Sequence, residues 1–352
     1  MRRRPGFRLA AMLCIAAVCS AQEPVSDPDS TIRVEVNVVN LPVTVTDSEG
    51  RFIVDLKKSD FSVWEDGQLV EIRYFTRSVE EEKKPPLHAG FIVDLSNTAR
   101  LYYKTYQTSI GDLAWMLVPE GGRNKGFLFG YHTEVDELVD FTDDPVTLTE
   151  KMENLKHGGG SAMFDAIYRA CAEKLVSMPY QGASEPRKVL VVIGDGHDNA
   201  SKRSIDEAIH AAQLHQVTIY AVSTVGWGYH HAEESNLFRL ARETGGRVVR
   251  PMQKVHKDVS GYLSKPQDAG NYQYEVGTGG YAAAQLQALY DAILNVAGNV
   301  QSQYILGYVP GRSFSDQQFR QIDVELRLSG ADVEVYHRRG YFPPVPSPEE
   351  RP

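Results

Sequence analysis

In the stretch "GFIVDLSNTAR", residues 90–100, an apolar run ends in three oxygen-bearing side chains at alternate positions, Asp94, Ser96 and Thr98. Two later turns carry the same kind of group. In "HGGGSAMFDA" a glycine run delivers Ser161 to the start of a helical pattern, and in "VVIGDGHDN" Asp195 closes a second apolar run. Two carboxylates and three hydroxyls are hard oxygen donors, the ligands that Mg²⁺, Mn²⁺ and Ca²⁺ take. Two carboxylates only balance a divalent ion, and neutral hydroxyls add no further negative charge. Such an ion stays electrophilic toward one more ligand from outside, ideally another carboxylate. A plainer reading stands beside this one: Ser96 or Asn97 could cap the helix that follows, and Ser161 could cap the next.

For these turns to meet, their strands must end at one edge. "GFIVDL", "KVLVVIGD" and "VTIYAVST" are apolar almost throughout, as strands of a parallel sheet covered on both faces are. Helical patterns such as "YYKTYQTSIGDLAWML", "SAMFDAIYRACAEKLV", "SIDEAIHAAQLH" and "ESNLFRLARET" fall between strand candidates. This predicts a doubly wound, mostly parallel α/β domain over residues 87–300, with ligands beyond the carboxyl ends of its strands. "KGFLFGYH", "DELVDF" and "GRVVRP" complete the strand set, "DELVDF" being open to an antiparallel edge position. A Gly- and Tyr-rich stretch from Lys254 to Gln285 reads as a long surface excursion, followed by a helix in "LQALYDAILNVAGNV".

Alternating patterns flank this domain. Residues 32–80 suggest a small antiparallel β unit, with one hairpin at "DSEGR" and another at Asp66-Gly67. Residues 301–342 alternate again and are expected to join the N-terminal unit as one β layer, leaving 343–352 as a tail. At the other end, residues 1–21 have a basic start, a short apolar centre and Ala21 at a cleavage point, the pattern of a secretory signal. Residues 22–31 follow as a disordered leader. Removing the signal deletes four arginines and no acidic residue, so the formal charge goes from −9 to −13. That balance argues against nucleic acid as a partner. No later segment is apolar enough to span a bilayer, so a secreted or periplasmic protein is expected. Cys171 is the one cysteine left after cleavage, and it reads as a small buried hydrophobe.

The oxygen cluster carries a resemblance. Asp94-Leu95-Ser96-Asn97-Thr98 resembles the Asp-x-Ser-x-Ser of the metal-ion-dependent adhesion site of von Willebrand factor A domains. Ser161 falls where that family has a threonine, and Asp195 matches its later aspartate. "VTVTDSEGRFIVDLKKSDFSVWEDG", "LARETGGRVVRP", "QYILGYVP" and "RRGYF" are similar to segments of the secreted bacterial group called VWFA-related. The resemblance implies a Rossmann-like domain, not an enzyme, that binds a protein partner's carboxylate through Mg²⁺ or a similar ion.

The loop "GWGYHHAEESN" should lie at the same edge, where Trp227, Tyr229, His230 and His231 could form a rim that a partner touches. Adjacent histidines there with Glu233 and Glu234 make a poor zinc set. His197 is expected to be exposed, and Asp165 and Asp198 to be structural. The rival enzymatic reading is a Mg²⁺-dependent haloacid dehalogenase-like phosphohydrolase, with Asp94 as nucleophile and Lys188 on the phosphate. It lacks an acid/base carboxylate, because Ser96 stands two residues after the nucleophile. A third reading is a structural module with no working metal site.

Overall fold

Alternation places the first strands. In β1 (Val39–Asp47) the residues Val39, Leu41, Val43 and Val45 are fully buried, while β2 (Phe61–Glu65) and β3 (Gln68–Val70) form a two-residue hairpin. Its turn is Asp66-Gly67, both with positive φ (49° and 77°), the left-handed pair that such a hairpin needs. β4 (Ile72–Thr76) follows. The computed structural model describes residues 38–77, 79–177, 185–225, 232–251, 279–312, 316–328 and 332–343. The signal, the leader, most of the Gly- and Tyr-rich stretch and residues 344–352 of the tail lie outside the described residues, as do Trp227, Tyr229, His230 and His231.

The α/β domain begins with β5 (Leu87–Asp94), buried at every position, and continues through α1 (Arg100–Leu117), β6 (Lys125–Tyr131) and β7 (Val135–Thr142). The next helix, α2 (Pro145–Glu153), is absent from the sequence-based expectation. Its start is chemically plain: the Asp144 carboxylate accepts from Val146 N and Thr147 N, and Pro145 needs no partner at the first helical position. α3 (Met163–Arg169) runs through a π turn, Ala170–Lys174, into α4 (Leu175–Ser177). Then come β8 (Arg187–Gly194), α5 (Ile205–Leu214), β9 (Val217–Ser223), α6 (Glu234–Thr244), β10 (Val248–Val249) and α7 (Gly279–Gln301).

The strand order is β10-β9-β8-β5-β6-β7, parallel except for β7, which is the antiparallel edge. Phe91, Val93, Val189 and Val191 face a core shared with α1, α2 and α7. Ile92, Leu190, Val192 and Ile219 face the core shared with α3, α5 and α6, where Cys171 is fully buried and its thiol is pushed well up by burial. Both faces being covered is why these strands read as unbroken apolar runs.

The amino end of the sheet is fastened by buried cations. Lys84 Nζ donates to the carbonyl of Gln301, and Arg187 donates to the carbonyls of Pro85 (3.2 Å) and Val300 (2.9 Å) and to Gln303 Oε1 (3.1 Å). Positive charge at the last carbonyls of α7 also complements the helix dipole.

The last strands are β11 (Tyr304–Tyr308), β12 (Arg320–Leu326), β13 (Val333–Tyr336) and β14 (Gly340–Tyr341). They do not add to the N-terminal strands as one layer. Two four-stranded sheets form instead, β13-β1-β11-β4 and β14-β12-β2-β3, each drawing strands from both chain ends around a common core. The "DSEGR" turn closes a short hairpin: Thr46 bridges Phe52, Asp47 N donates to Arg51 O (3.0 Å) and Ile53 N donates to Val45 O (2.9 Å).

A buried polar cluster ties these strands together. Glu65 Oε2 accepts from Tyr308 Oη (2.8 Å) and Tyr341 Oη (3.0 Å), and Arg320, fully buried, lies 3.6 Å from Glu65 Oε1. Removing the carboxylate would take an acceptor from two buried hydroxyls and one of two nearby carboxylates from Arg320, which keeps Asp316 and the Arg312 carbonyl. Glu65→Ala is therefore expected to lower stability by about 3 kcal/mol, read as a reduced urea midpoint with unchanged slope. Wild-type stability in that variant would show that the cluster contributes nothing.

Candidate metal centre

Strand alternation points Ile92 and Asp94 to the same face of β5, so Asp94 extends the α3/α5/α6 core by one position at the carboxyl edge. It is 2% exposed. The chain turns at once: Ser96 N donates to Asp94 Oδ1 at 2.8 Å, and the hydroxyls of Ser96 and Thr98 lie 2.9 Å apart. The residue at the start of α1 is Ala99, which offers no side-chain cap.

The second turn docks on the first through backbone bonds. Gly158 N donates to Leu95 O at 2.8 Å and Asn97 N to Gly159 O at 3.3 Å. Gly159 has φ +80°, and a Cβ there would come within 2.5 Å of Thr133 Oγ1, so glycine is needed for the approach. Gly160 N donates to that same Thr133 hydroxyl, and Ala162 N to His132 O. Ser161, 1% exposed, does not cap α3 either, since the N-cap is Ala162. The Ser161 hydroxyl donates to the carbonyl of His197 at 2.6 Å, leaving its lone pairs open.

The third turn closes the set. Asp195, half-buried, accepts from His197 N at 2.9 Å. His197 is half-buried rather than exposed, because its backbone sits between Asp195 and Ser161. Asn199, which sequence reasoning passes over, grips Ser161 from both sides: its Oδ1 accepts from Ser161 N (2.8 Å) and its N donates to Ser161 O (2.9 Å). Asp198 accepts from Phe164 N and from Ser201, while Asp165 accepts from Lys202 N and Arg203 N. Both are reciprocal caps between the second and third turns. Glu234 is spent on Ser223 and Arg250, inconsistent with a zinc ligand. Lys188 lies near the amino end of β8, bonded to Glu185 and His215 O, a strand's length from Asp195. It cannot serve a phosphate at Asp94.

Residues 107–256 match the family model of the von Willebrand factor type A domain. The chain carries a von Willebrand factor type A domain. The match spans Ser161 and Asp195 and begins after Thr98, so the first turn rests on geometry alone. No curated protein matches the chain. Among solved structures it is similar to a conserved hypothetical protein, BatB, from Bacteroides thetaiotaomicron (17% identity, 47% of this chain and 89% of that one, TM-score 0.38). It is also similar to the vWF domain of the type V pili tip protein Mfa5 from Porphyromonas gingivalis (19%, 32% and 39%, 0.29). A third is proximal thread matrix protein 1 from the mussel byssus with a zinc-occupied MIDAS motif (16%, 47% and 41%, 0.38). The chain thus spans less than half of the last two.

The donor set of the A domain fits a divalent cation. Asp94 Oδ2 is buried without a hydrogen-bond partner. Burial first, and then the nearby Asp195 charge, push this carboxyl up to about 6 against the opposing bonds from Ser96. Without metal, the native state holds this proton more tightly than the unfolded chain. Its contribution to stability is complete below pH 4 and is lost as pH rises through about 6. The loss is on the order of 3 kcal/mol. Asp94→Asn in the presence of chelator is expected to raise the thermal midpoint at pH 8 and to leave it little changed at pH 4.5. A lower midpoint at pH 8 would show that the buried charge is already compensated.

Proposed function

We propose that the A domain binds a divalent cation, Mg²⁺ with Mn²⁺ or Ca²⁺ as substitutes, through Asp94, Ser96, Thr98, Ser161 and Asp195. The bound cation supplies a Lewis-acidic position for one carboxylate of a protein partner, and the chain acts as a binding module, not as an enzyme. The observation that carries this is the buried, unpartnered Asp94 oxygen beside hydroxyls that cap no helix. A carboxylate placed so, with no acid/base group following it, suits cation binding better than phosphoryl chemistry.

The signal-like N-terminus supports an extracytoplasmic setting, secreted or periplasmic. Among the described residues no helix is long and apolar enough to cross a membrane. An acidic protein with an acid-seeking cation must present its partner's carboxylate locally, since long-range charge does not favour the approach.

Calorimetric titration with Mg²⁺ is the direct test. Wild-type protein should bind one ion, and Asp94→Ala should lose at least about 100-fold in affinity, more than an outer partner usually costs. Retention of partners from extracytoplasmic extracts on immobilised protein should vanish with chelator and return with Mg²⁺. Equal Mg²⁺ affinity in wild type and Asp94→Ala would end the proposal.

A further inference from the structure

The floor beneath Asp94 contains a second orphan. Tyr131 ends β6 directly beside Asp94, in parallel register with it, so both side chains project from the same face. Tyr131 is fully buried, and its hydroxyl has no hydrogen-bond partner. On the other side of β5 the matching position is Gly194, the last residue of β8. A Cβ built on Gly194 would lie 2.3 Å from Tyr131 Oη and 3.4 Å from Asp94 Oδ2. The phenol therefore leans across the Asp94 strand into space that exists only because Gly194 has no side chain. Its hydroxyl and the free Asp94 oxygen border the same gap.

A buried phenol costs free energy when its hydroxyl goes unpaired, and so does a buried carboxylate oxygen. The two groups are complementary, one a donor and the other an acceptor. The apolar neighbours on that face include Ile92, Phe129, Leu190 and Val192.

We propose that Tyr131 is a positioning residue of the metal centre, its hydroxyl donating to Asp94 Oδ2 and so holding the carboxylate charged and correctly turned toward the cation. This rests on the function proposed above. Tyr131 touches neither ion nor partner. It supplies the outer hydrogen bond that orients a ligand, and such partners change metal affinity by roughly 10- to 100-fold. Ser96 N holds one carboxylate oxygen and Tyr131 the other, which fixes the plane of the group.

The test compares wild type with Tyr131→Phe, which removes one oxygen and keeps the ring. Mg²⁺ and Mn²⁺ titrations by calorimetry should show about 10-fold weaker binding in the variant for both ions. The rise in thermal midpoint on adding saturating Mg²⁺ should be smaller in the variant than in wild type. Gly194→Ala, which crowds the hydroxyl, should weaken Mg²⁺ binding in the same direction. Equal Mg²⁺ affinity in wild type and Tyr131→Phe would overturn the inference while leaving the metal site standing. A lowered chelator midpoint with unchanged affinity would assign Tyr131 to packing and overturn it equally. Failure of wild type to bind either ion would remove the metal site itself, and this inference with it.

Discussion

A carboxylate at the end of a fully buried central strand is the constraint around which the domain is arranged. Asp94 lies one step beyond the apolar core and receives little help from water. Its partners at the edge are the backbone amide and side chain of Ser96, dipoles that soften the penalty without cancelling the charge. The surrounding turns are held by bonds that do not depend on a ligand: Gly158 to Leu95, Asn97 to Gly159, and Asn199 to Ser161 in both directions. The turns are fixed relative to one another by the fold itself. That is the condition under which a cation adds binding free energy without first ordering the chain.

The two ends of the sheet are built from different chemistry. At the amino edge Lys84 and Arg187 are buried and spend their donors on carbonyls around the end of α7. At the carboxyl edge Asp195 adds like charge beside Asp94, and the neighbouring His197 opposes it only in part. Buried lysine and arginine thus fasten the amino edge, whereas at the carboxyl edge Arg250 is taken up by Glu234. The asymmetry matches the general placement of ligand sites in open parallel sheets. Here it has a specific electrostatic cause.

The β-sandwich shows what strand pairing does to a local pattern. Each strand from 39–76 and from 304–341 alternates well enough to be recognised from sequence, and the Asp66-Gly67 turn fixes its hairpin because only a left-handed pair fits two residues. Which strands pair across the chain was not legible. Alternation says which face is buried but nothing of the neighbour, so the expected single layer became two sheets. The Glu65, Tyr308, Arg320 and Tyr341 cluster is likewise invisible in sequence, since its members lie in four separate segments. The helix at 145–153 was missed for the opposite reason. Its cap, Asp144-Pro145, is local and readable, but its short apolar pattern is weak.

The sequence by itself determined the α/β rhythm, the parallel character of the central strands and the candidate oxygen set of Asp94, Ser96, Thr98, Ser161 and Asp195, because each depends on residue type and short-range period. It also marked Asp198 and Asp165 as structural. Only the tertiary structure decided that the hydroxyls of Ser96 and Ser161 cap no helix, that Asn199 clamps Ser161 and that Tyr131 reaches under Asp94 to Gly194. Those facts depend on the register between strands distant along the chain. Register is fixed by packing of whole faces, and no local pattern encodes it.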